Sequence, residues 1–130
     1  MSQPLVSICC WTYNHADYIK DAIDGFLAQK TTFPYEICIG EDESNDGTRE
    51  ICKEYAVKYP DKIRLFLRNR KDVIYFNGKA TGRFNFMETF KKTRGKYIAT
   101  CEGDDYWLDP LKLQKQVDFM EKNNQHSFCG

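Results

Sequence analysis

Three carboxylates, Glu102, Asp104 and Asp105, fall within four consecutive positions around Gly103. Charges this close repel one another. A hard divalent cation removes the repulsion, and Mg2+ or Mn2+ takes one or two carboxylates while leaving positions for water and substrate phosphate. The spacing therefore predicts a Mg2+ or Mn2+ site that holds a diphosphate, with a solvated acidic turn capping the next helix as the alternative. A second acidic run, Glu41-Asp42-Glu43, can accept hydrogen bonds from the N–H groups of a nucleobase or from ribose hydroxyls. The residues behind it, Ser44 to Thr48, read as a turn and a helix cap. They also mimic the opening of a calcium loop, but its twelfth place would be Lys53 and a strand precedes it, which excludes that reading. Tyr13 and Asn14 offer an aromatic face and an amide, suited to a base or ribose and equally to anchoring a loop. Tyr106 and Trp107 can line a sugar site or plug the edge of a sheet. His15 has no partner evident in the sequence and reads as a surface-loop histidine.

These residues need elements to position them. Leu5 to Cys10, Tyr35 to Gly40, Ile63 to Leu67 and Lys96 to Cys101 are short apolar runs bounded by polar residues, the pattern of buried strands. Between them the period changes to three and four. Ile19, Ala22, Ile23, Phe26 and Leu27 form one helical stripe, and Ile51, Cys52, Tyr55, Ala56 and Tyr59 a second, ended by Pro60. A third helix is expected from Arg83 to Thr93 with Phe86, Phe90 and Met87 inward, stopped at Gly95. A fourth, capped by Asp109 with Pro110 at its first position, carries Leu113, Val117 and Met120. Arg68 to Lys79 reads as a polar, mobile connection. Ser127 to Gly130 reads as the start of a fifth strand. Strand and helix alternate, which predicts an α/β, Rossmann-like, doubly wound and mostly parallel sheet. In such sheets ligands bind beyond the carboxyl ends of the strands. The clusters Trp11 to His15, Glu41 to Thr48 and Glu102 to Trp107 all follow strand ends, so they are expected to meet on one rim.

The chain has 130 residues, 19 basic and 19 acidic side chains, no net charge and 42% hydrophobic residues, which suits one domain with one core. Without an excess of clustered Lys and Arg, a nucleic-acid partner is not expected. No run approaches the roughly 18 apolar residues of a membrane span, and the first ten residues lack a basic segment before their apolar stretch, so neither a transmembrane segment nor a secretion signal is expected. The expected location is cytoplasmic, or peripheral to a membrane. Cys9, Cys10, Cys38, Cys52, Cys101 and Cys129 contain no C-x-x-C pair and have only His15 and His126 as imidazole companions. They are expected to be buried thiols rather than disulfides or zinc ligands.

Five motifs together resemble a known family. Val6-Ser-Ile-Cys-Cys-Trp-Thr-Tyr-Asn14, Glu41-Asp-Glu-Ser-Asn-Asp-Gly-Thr48, Arg83-Phe-Asn85, Arg94-Gly-Lys-Tyr-Ile98 and Glu102-Gly-Asp-Asp105 stand in the order and spacing of the family 2 glycosyltransferases, whose fold is GT-A. The resemblance implies transfer of a sugar from a nucleotide-sugar donor, a UDP- or GDP-sugar, to a hydroxyl of a sugar or lipid-linked acceptor, with inversion at the anomeric carbon. Surface polysaccharide synthesis is the setting it suggests. Position by position, it implies that Tyr13 and Asp42 contact the nucleoside and that Arg83 and Asn85 support the donor site; Asn14 and Glu41, with Asp104, complete the expected nucleotide-sugar-binding set. Asp104 with Asp105 would end the Asp-x-Asp motif that holds metal and diphosphate, and Glu102 would begin it. The sequence departs from the family pattern at Trp11, where many members have Pro, and at Glu41 and Glu102, where the family has Asp.

A GT-A domain needs on the order of 200 residues or more. The chain is therefore expected to be the nucleotide-sugar-binding half of such a domain, without the acceptor half, and the general base is expected beyond Gly130. An incomplete sheet exposes an unpaired edge, which predicts self-association. Two other readings compete: a nucleotide-binding or interaction module without catalysis, and a nucleotidyltransferase. The latter calls for a glycine-rich basic loop after the first strand, and Trp11 to Asp17 contains no Gly, Lys or Arg.

Overall fold

A computed structural model describes residues 3–123; the expected fifth strand at Ser127 to Gly130 lies outside them. Four parallel strands form one sheet in the order β3-β2-β1-β6. They are β1 (Val6–Thr12), β2 (Tyr35–Glu41), β3 (Ile63–Leu67) and β6 (Tyr97–Glu102). β4 (Tyr75–Phe76) and β5 (Lys79–Ala80) make a separate antiparallel hairpin. The helices are α1 (Ile19–Leu27), α2 (Thr48–Lys58), α3 (Arg83–Lys91) and α4 (Lys112–Lys122). The α/β, parallel, Rossmann-like expectation holds.

β2 is buried along its whole length and β1 everywhere but Trp11, as central parallel strands covered on both faces must be. On one face Ile8, Cys10, Ile37 and Ile39 meet Ile19, Ile23 and Phe26 of α1, Cys52 of α2, and Leu113 and Val117 of α4. Cys9, Cys10, Cys38, Cys52 and Cys101 are free, buried thiols; burial pushes Cys52 up to about 12, far from reactivity at neutral pH.

β1 and β2 run past their apolar residues to Thr12 and Glu41. Trp11 is paired on both sides, with Gly40 and with Glu102, and Thr12 is paired with Glu41. Ladder hydrogen bonds, not hydrophobicity, decide where these strands end. The fourth helix begins at Lys112 rather than at Pro110. Asp109 caps a turn ahead of it, accepting from the Leu111 N–H at 2.9 Å. The cap of the helix proper comes from afar: Gln29 Oε1 accepts from the Leu113 N–H at 3.0 Å while Gln29 Nε2 donates to the Asp109 carbonyl at 2.8 Å. Residues 68 to 79 are not a plain connection. They hold a 3-10 turn, Arg70–Asp72, and the hairpin, whose Asn77 and Gly78 have φ of 52° and 78°. Asn-Gly is the dipeptide that favours this two-residue turn.

The other face of the sheet is polar, which corrects the expected inward side of α3. Asn85 and Thr89 are its buried residues, while Met87 and Phe90 are exposed. The reason lies in β2. Gly40 has no side chain, and a Cβ there would collide with Asn85 Oδ1 and Thr89 Oγ1. That close approach lets Asn85 Nδ2 donate to the Gly40 carbonyl at 2.8 Å, while Asn85 Oδ1 accepts from Arg68 Nε at 3.0 Å. At the opposite end of this face, buried Glu36 accepts from Ser7 Oγ, from the Arg94 N–H at 2.8 Å, and from the Arg64 and Arg94 guanidiniums at 3.0 Å each. Burial pushes this carboxyl up, but the bonds from Ser7, Arg94 and Arg64 outweigh it and hold its pKa down at about 2, against 4.5 for a free one.

Because the folded pKa lies below the unfolded one, this stabilisation is complete above about pH 4.5 and is lost as pH falls toward 2. Glu36→Gln is expected to cost about 2 kcal/mol at pH 7. Urea unfolding at pH 7, 4.5 and 3 should show the gap to wild type narrowing with acid, and a gap independent of pH would contradict this account.

Candidate functional site

The loops after β1, β2 and β6 meet at the carboxyl end of the sheet. Strand pairing continues into them: the Asp42 N–H donates to the Thr12 carbonyl at 3.1 Å and the Gly103 N–H to the Trp11 carbonyl at 3.0 Å. Side chains then stitch the β1 and β2 loops together. The N–H groups of Asn14, His15 and Ala16 donate to Ser44 Oγ, Thr48 Oγ1 and Asp46 Oδ2 at 2.8, 2.9 and 3.1 Å, and Asn14 Oδ1 accepts from the Asn45 N–H at 3.0 Å. Asp46 also accepts from the Thr48 N–H, so the capping expected of Asp46 to Thr48 also fixes the neighbouring loop.

The acidic residues of the β2 loop divide by burial. Glu41 is fully buried and its two oxygens are engaged inside the protein, one by the Ser44 N–H at 2.8 Å and one by Arg49 Nε. Asp42 is almost as buried, yet Arg70 Nη1 occupies only its Oδ2, at 3.0 Å. Asp42 Oδ1 is the one buried side-chain oxygen or nitrogen among the described residues that lacks a partner. Burial pushes the Asp42 carboxyl up and Arg70 draws it partly back. The same guanidinium stacks on Tyr13, 3.7 Å from the ring centroid. Glu43 accepts from the Arg70 N–H at 2.9 Å and so orients that arginine.

On the β6 side, His15, Glu102 and Asp104 each present a ligand atom within 4.8 Å of one another. His15 Nε2 is 3.9 Å from both Glu102 Oε2 and Asp104 Oδ2, and His15 Nδ1 is 2.8 Å from Thr12 Oγ1. His15 is thus a partly buried residue of the site rather than a surface histidine without a partner. Burial and then the charge of Asp104 push the Glu102 carboxyl up. Asp105 lies outside this cluster; its Oδ1 accepts from the Tyr106 N–H at 2.9 Å. Beside the carboxylates, Trp11, Gly82, Arg83, Phe86, Thr100 and Glu102 line an open cleft of about 300 Å³. Arg83 borders the cleft, whereas Asn85 lies beneath the rim, tied to Gly40 and Arg68. Trp107 packs edge-on against Phe26, ring centroids 4.9 Å apart, as a plug, and Tyr106 is exposed.

His15, Arg49, Arg68 and Arg70 are the site's unforeseen members. Arginines from α2 and from the segment after β3 leave no local pattern that ties them to carboxylates in another loop. His15 follows Asn14 directly, and its place in the β1 loop was the available signal.

A parallel sheet in the order β3-β2-β1-β6 with an acidic rim after β1, β2 and β6 defines an α/β domain of GT-A type. The sequence model of Glycosyl transferase family 2 matches residues 7–130, and the chain belongs to that family. It is 42% identical over 124 residues to the uncharacterized protein Rv1520 of Mycobacterium tuberculosis, a match covering 95% of this chain and 34% of Rv1520. It is 34% identical over 129 residues to a Bacillus subtilis protein provisionally named a teichuronic acid biosynthesis glycosyltransferase, TuaG, covering 98% of this chain and 47% of TuaG. The chain therefore spans between a third and a half of the length of these relatives. Among solved structures, the mannosyltransferase PcManGT of Pyrobaculum calidifontis, in complex with GDP-Man and Mn2+, shares the fold with a TM-score of 0.70 and 21% identity, over 92% of this chain and 33% of that one. No helix among the described residues is long and apolar enough to cross a membrane.

Gly103 joins the β1 and β6 sides of the site. A Cβ there would collide with Thr12 Oγ1 and lie 2.9 Å from His15 Nδ1. Gly103→Ala is expected to cost about 2 kcal/mol through overpacking, read as a lower Tm. A variant as stable as wild type would show that the two loops are not tightly joined at this point.

Proposed function

We propose that the chain is the donor-binding half of an inverting glycosyltransferase that moves a sugar from a UDP- or GDP-sugar to a sugar or lipid-linked hydroxyl. Asp42 Oδ1 carries this reading: a buried acceptor without a partner, beside the ring of Tyr13, on the rim that also holds Glu102 and Asp104. A carboxylate that cannot reach solvent and lacks a donor calls for one from a ligand. Uracil and guanine both present a ring N–H, and an aromatic face beside the acceptor suits a flat base. Asn14 stands next to this position; Glu41 supports it by holding the Ser44 N–H and Arg49 in place.

The donor set also fits a divalent cation. Two carboxylates and an imidazole converge, and burial together with the charge of Asp104, which raise Glu102, are what a bound cation would offset. Glu102 and Asp104 would hold Mg2+ or Mn2+, with Asp105, turned to its own neighbour's N–H, contributing charge at longer range. When bound, the cation stabilises the negative charge that develops on the departing diphosphate. Arg83, at the mouth of the cleft, adds a second positive charge toward the same group, and Asn85 keeps the β2 end in place beneath it. The carboxylate base that takes the acceptor's proton is expected outside residues 1–130, so this chain alone is expected to bind donor without transferring sugar. Among the described residues β6 stands at the edge of the sheet, which supports self-association. The name of TuaG supports a setting in surface polysaccharide synthesis, with the protein in the cytoplasm or at the membrane's inner surface.

Calorimetry with UDP- and GDP-sugars, with and without Mn2+, tests the proposal. Binding is expected to need the metal, and Asp42→Asn to weaken it roughly ten- to a hundredfold, the worth of one hydrogen bond to a charged group. Specific binding should also raise Tm by mass action. No metal-dependent binding to any of these donors would favour the non-catalytic module and end the proposal.

A further inference from the structure

We propose that His15 Nε2 is a metal ligand alongside Glu102 and Asp104, which makes this rim a mixed nitrogen and oxygen site that prefers Mn2+ to Mg2+. The inference rests on the donor-binding reading and deepens it, because an acidic motif alone assigns only oxygen ligands. Three observations carry it. First, Nε2 stands 3.9 Å from Glu102 Oε2 and 3.9 Å from Asp104 Oδ2. That is too far for a hydrogen bond; the three atoms lie within 4.8 Å of one another, and one cation with ligands at about 2.1 Å would draw them together after a closure on the order of 1–2 Å.

Second, the other ring nitrogen is already oriented. Thr12, buried at the end of β1, holds Nδ1 at 2.8 Å. The pair can run in either direction, and a cation selects the tautomer in which Nδ1–H donates to Thr12 Oγ1 and Nε2 offers its lone pair. Third, the space is shaped for this ring. Gly103 lies between the two acids in sequence, and a Cβ on it would press on Thr12 and on His15 Nδ1. The imidazole therefore fits against the acidic loop only because that position is glycine. His15 is itself fixed by its own N–H bond to Thr48 Oγ1 at 2.9 Å.

The ligand types decide the preference. Carboxylate and water suit Mg2+ and Mn2+ alike, whereas an imidazole nitrogen favours the transition metal. Mn2+ added to the wild-type protein, read by electron spin echo, is expected to show a 14N coupling that His15→Gln removes. In Mn2+ titrations His15→Gln should raise Kd about tenfold or more and Thr12→Val should raise it less, with Mg2+ affinity moving less than Mn2+ affinity in both. The wild-type echo needs no variant to fold. Absence of the 14N coupling in wild-type protein that binds Mn2+, or Mn2+ affinity in His15→Gln equal to wild type while Asp104→Asn loses it, would overturn the role of His15 and leave the acidic site standing. Mn2+ affinity unchanged in Asp104→Asn as well would overturn the donor-site reading itself.

Discussion

Crowding negative charge at the carboxyl ends of parallel strands is the constraint on which this structure turns. Strand ends already present carbonyl groups; β2 and β6 end on Glu41 and Glu102, and the loops after them add Asp42, Glu43, Asp46, Asp104 and Asp105. The protein settles most of this charge internally. Arg49 answers Glu41, Arg70 answers Asp42, and backbone N–H groups answer Asp46 and Glu43. Glu102 and Asp104 are the exception: among the described residues, the side chain that pairs with them is the His15 imidazole, at 3.9 Å from each. Carboxylate oxygens satisfied within the fold build the site, and those left without a full partner, on Glu102, on Asp104 and at Asp42 Oδ1, are the ones open to a ligand.

The polar face of the sheet serves the same end. An apolar helix packed over β1 and β2 would have filled that face with Leu or Phe, as the other face is filled. Instead Gly40 opens a gap that Asn85 and Thr89 enter, and Arg68 closes the network over them. Hydrogen bonds fix direction where apolar contacts fix only distance. Asn85 binds the Gly40 carbonyl one residue before Glu41, so the end of β2 is held in orientation immediately ahead of the acidic loop. The Glu36 cluster does likewise at the other end of the face, tying the turn after α3 to β1 and β2 through Arg94 and Ser7.

Much of this was legible in the residues because the relevant signals are local. The stripes of α1 and α4, the apolar run of β2 and the limits of β3 follow from periodicity, and the meeting of three loops follows from strands that all point the same way. What stayed hidden depends on partners far apart in sequence. Phe86, Phe90 and Met87 have a helical spacing that suggests an inward face, yet the choice between faces was made by Gly40, more than forty positions earlier. Gln29 caps a helix 84 residues away, and Asp109, the obvious local candidate, caps only the turn before it. The acidic residues could be picked out by type, but whether Glu41 or Asp42 keeps a free oxygen depends on where Arg49 and Arg70 reach. His15 looked unattached because its acids, Glu102 and Asp104, lie some ninety positions away, although Thr12 stands only three positions before it.

In the proposed donor site, the pairing of Asp42 with Arg70 would keep the base position ordered before a base arrives. A buried carboxylate with no positive neighbour would take up a proton or draw in water, and either would spoil it as an acceptor. Arg70 counters this in part by bonding one oxygen while lying flat on Tyr13. Its planar guanidinium offers there what a nucleobase also offers, a flat surface for stacking and an N–H for the carboxylate. Oδ1 remains open meanwhile. On the proposed reading, an incoming base would bond Asp42 without first breaking the ion pair, and would compete with Arg70 only for the face of Tyr13. Stacking there is worth about 1 kcal/mol, far less than the cost of leaving Asp42 buried without a counterion, so the arginine can leave the ring while keeping the acid.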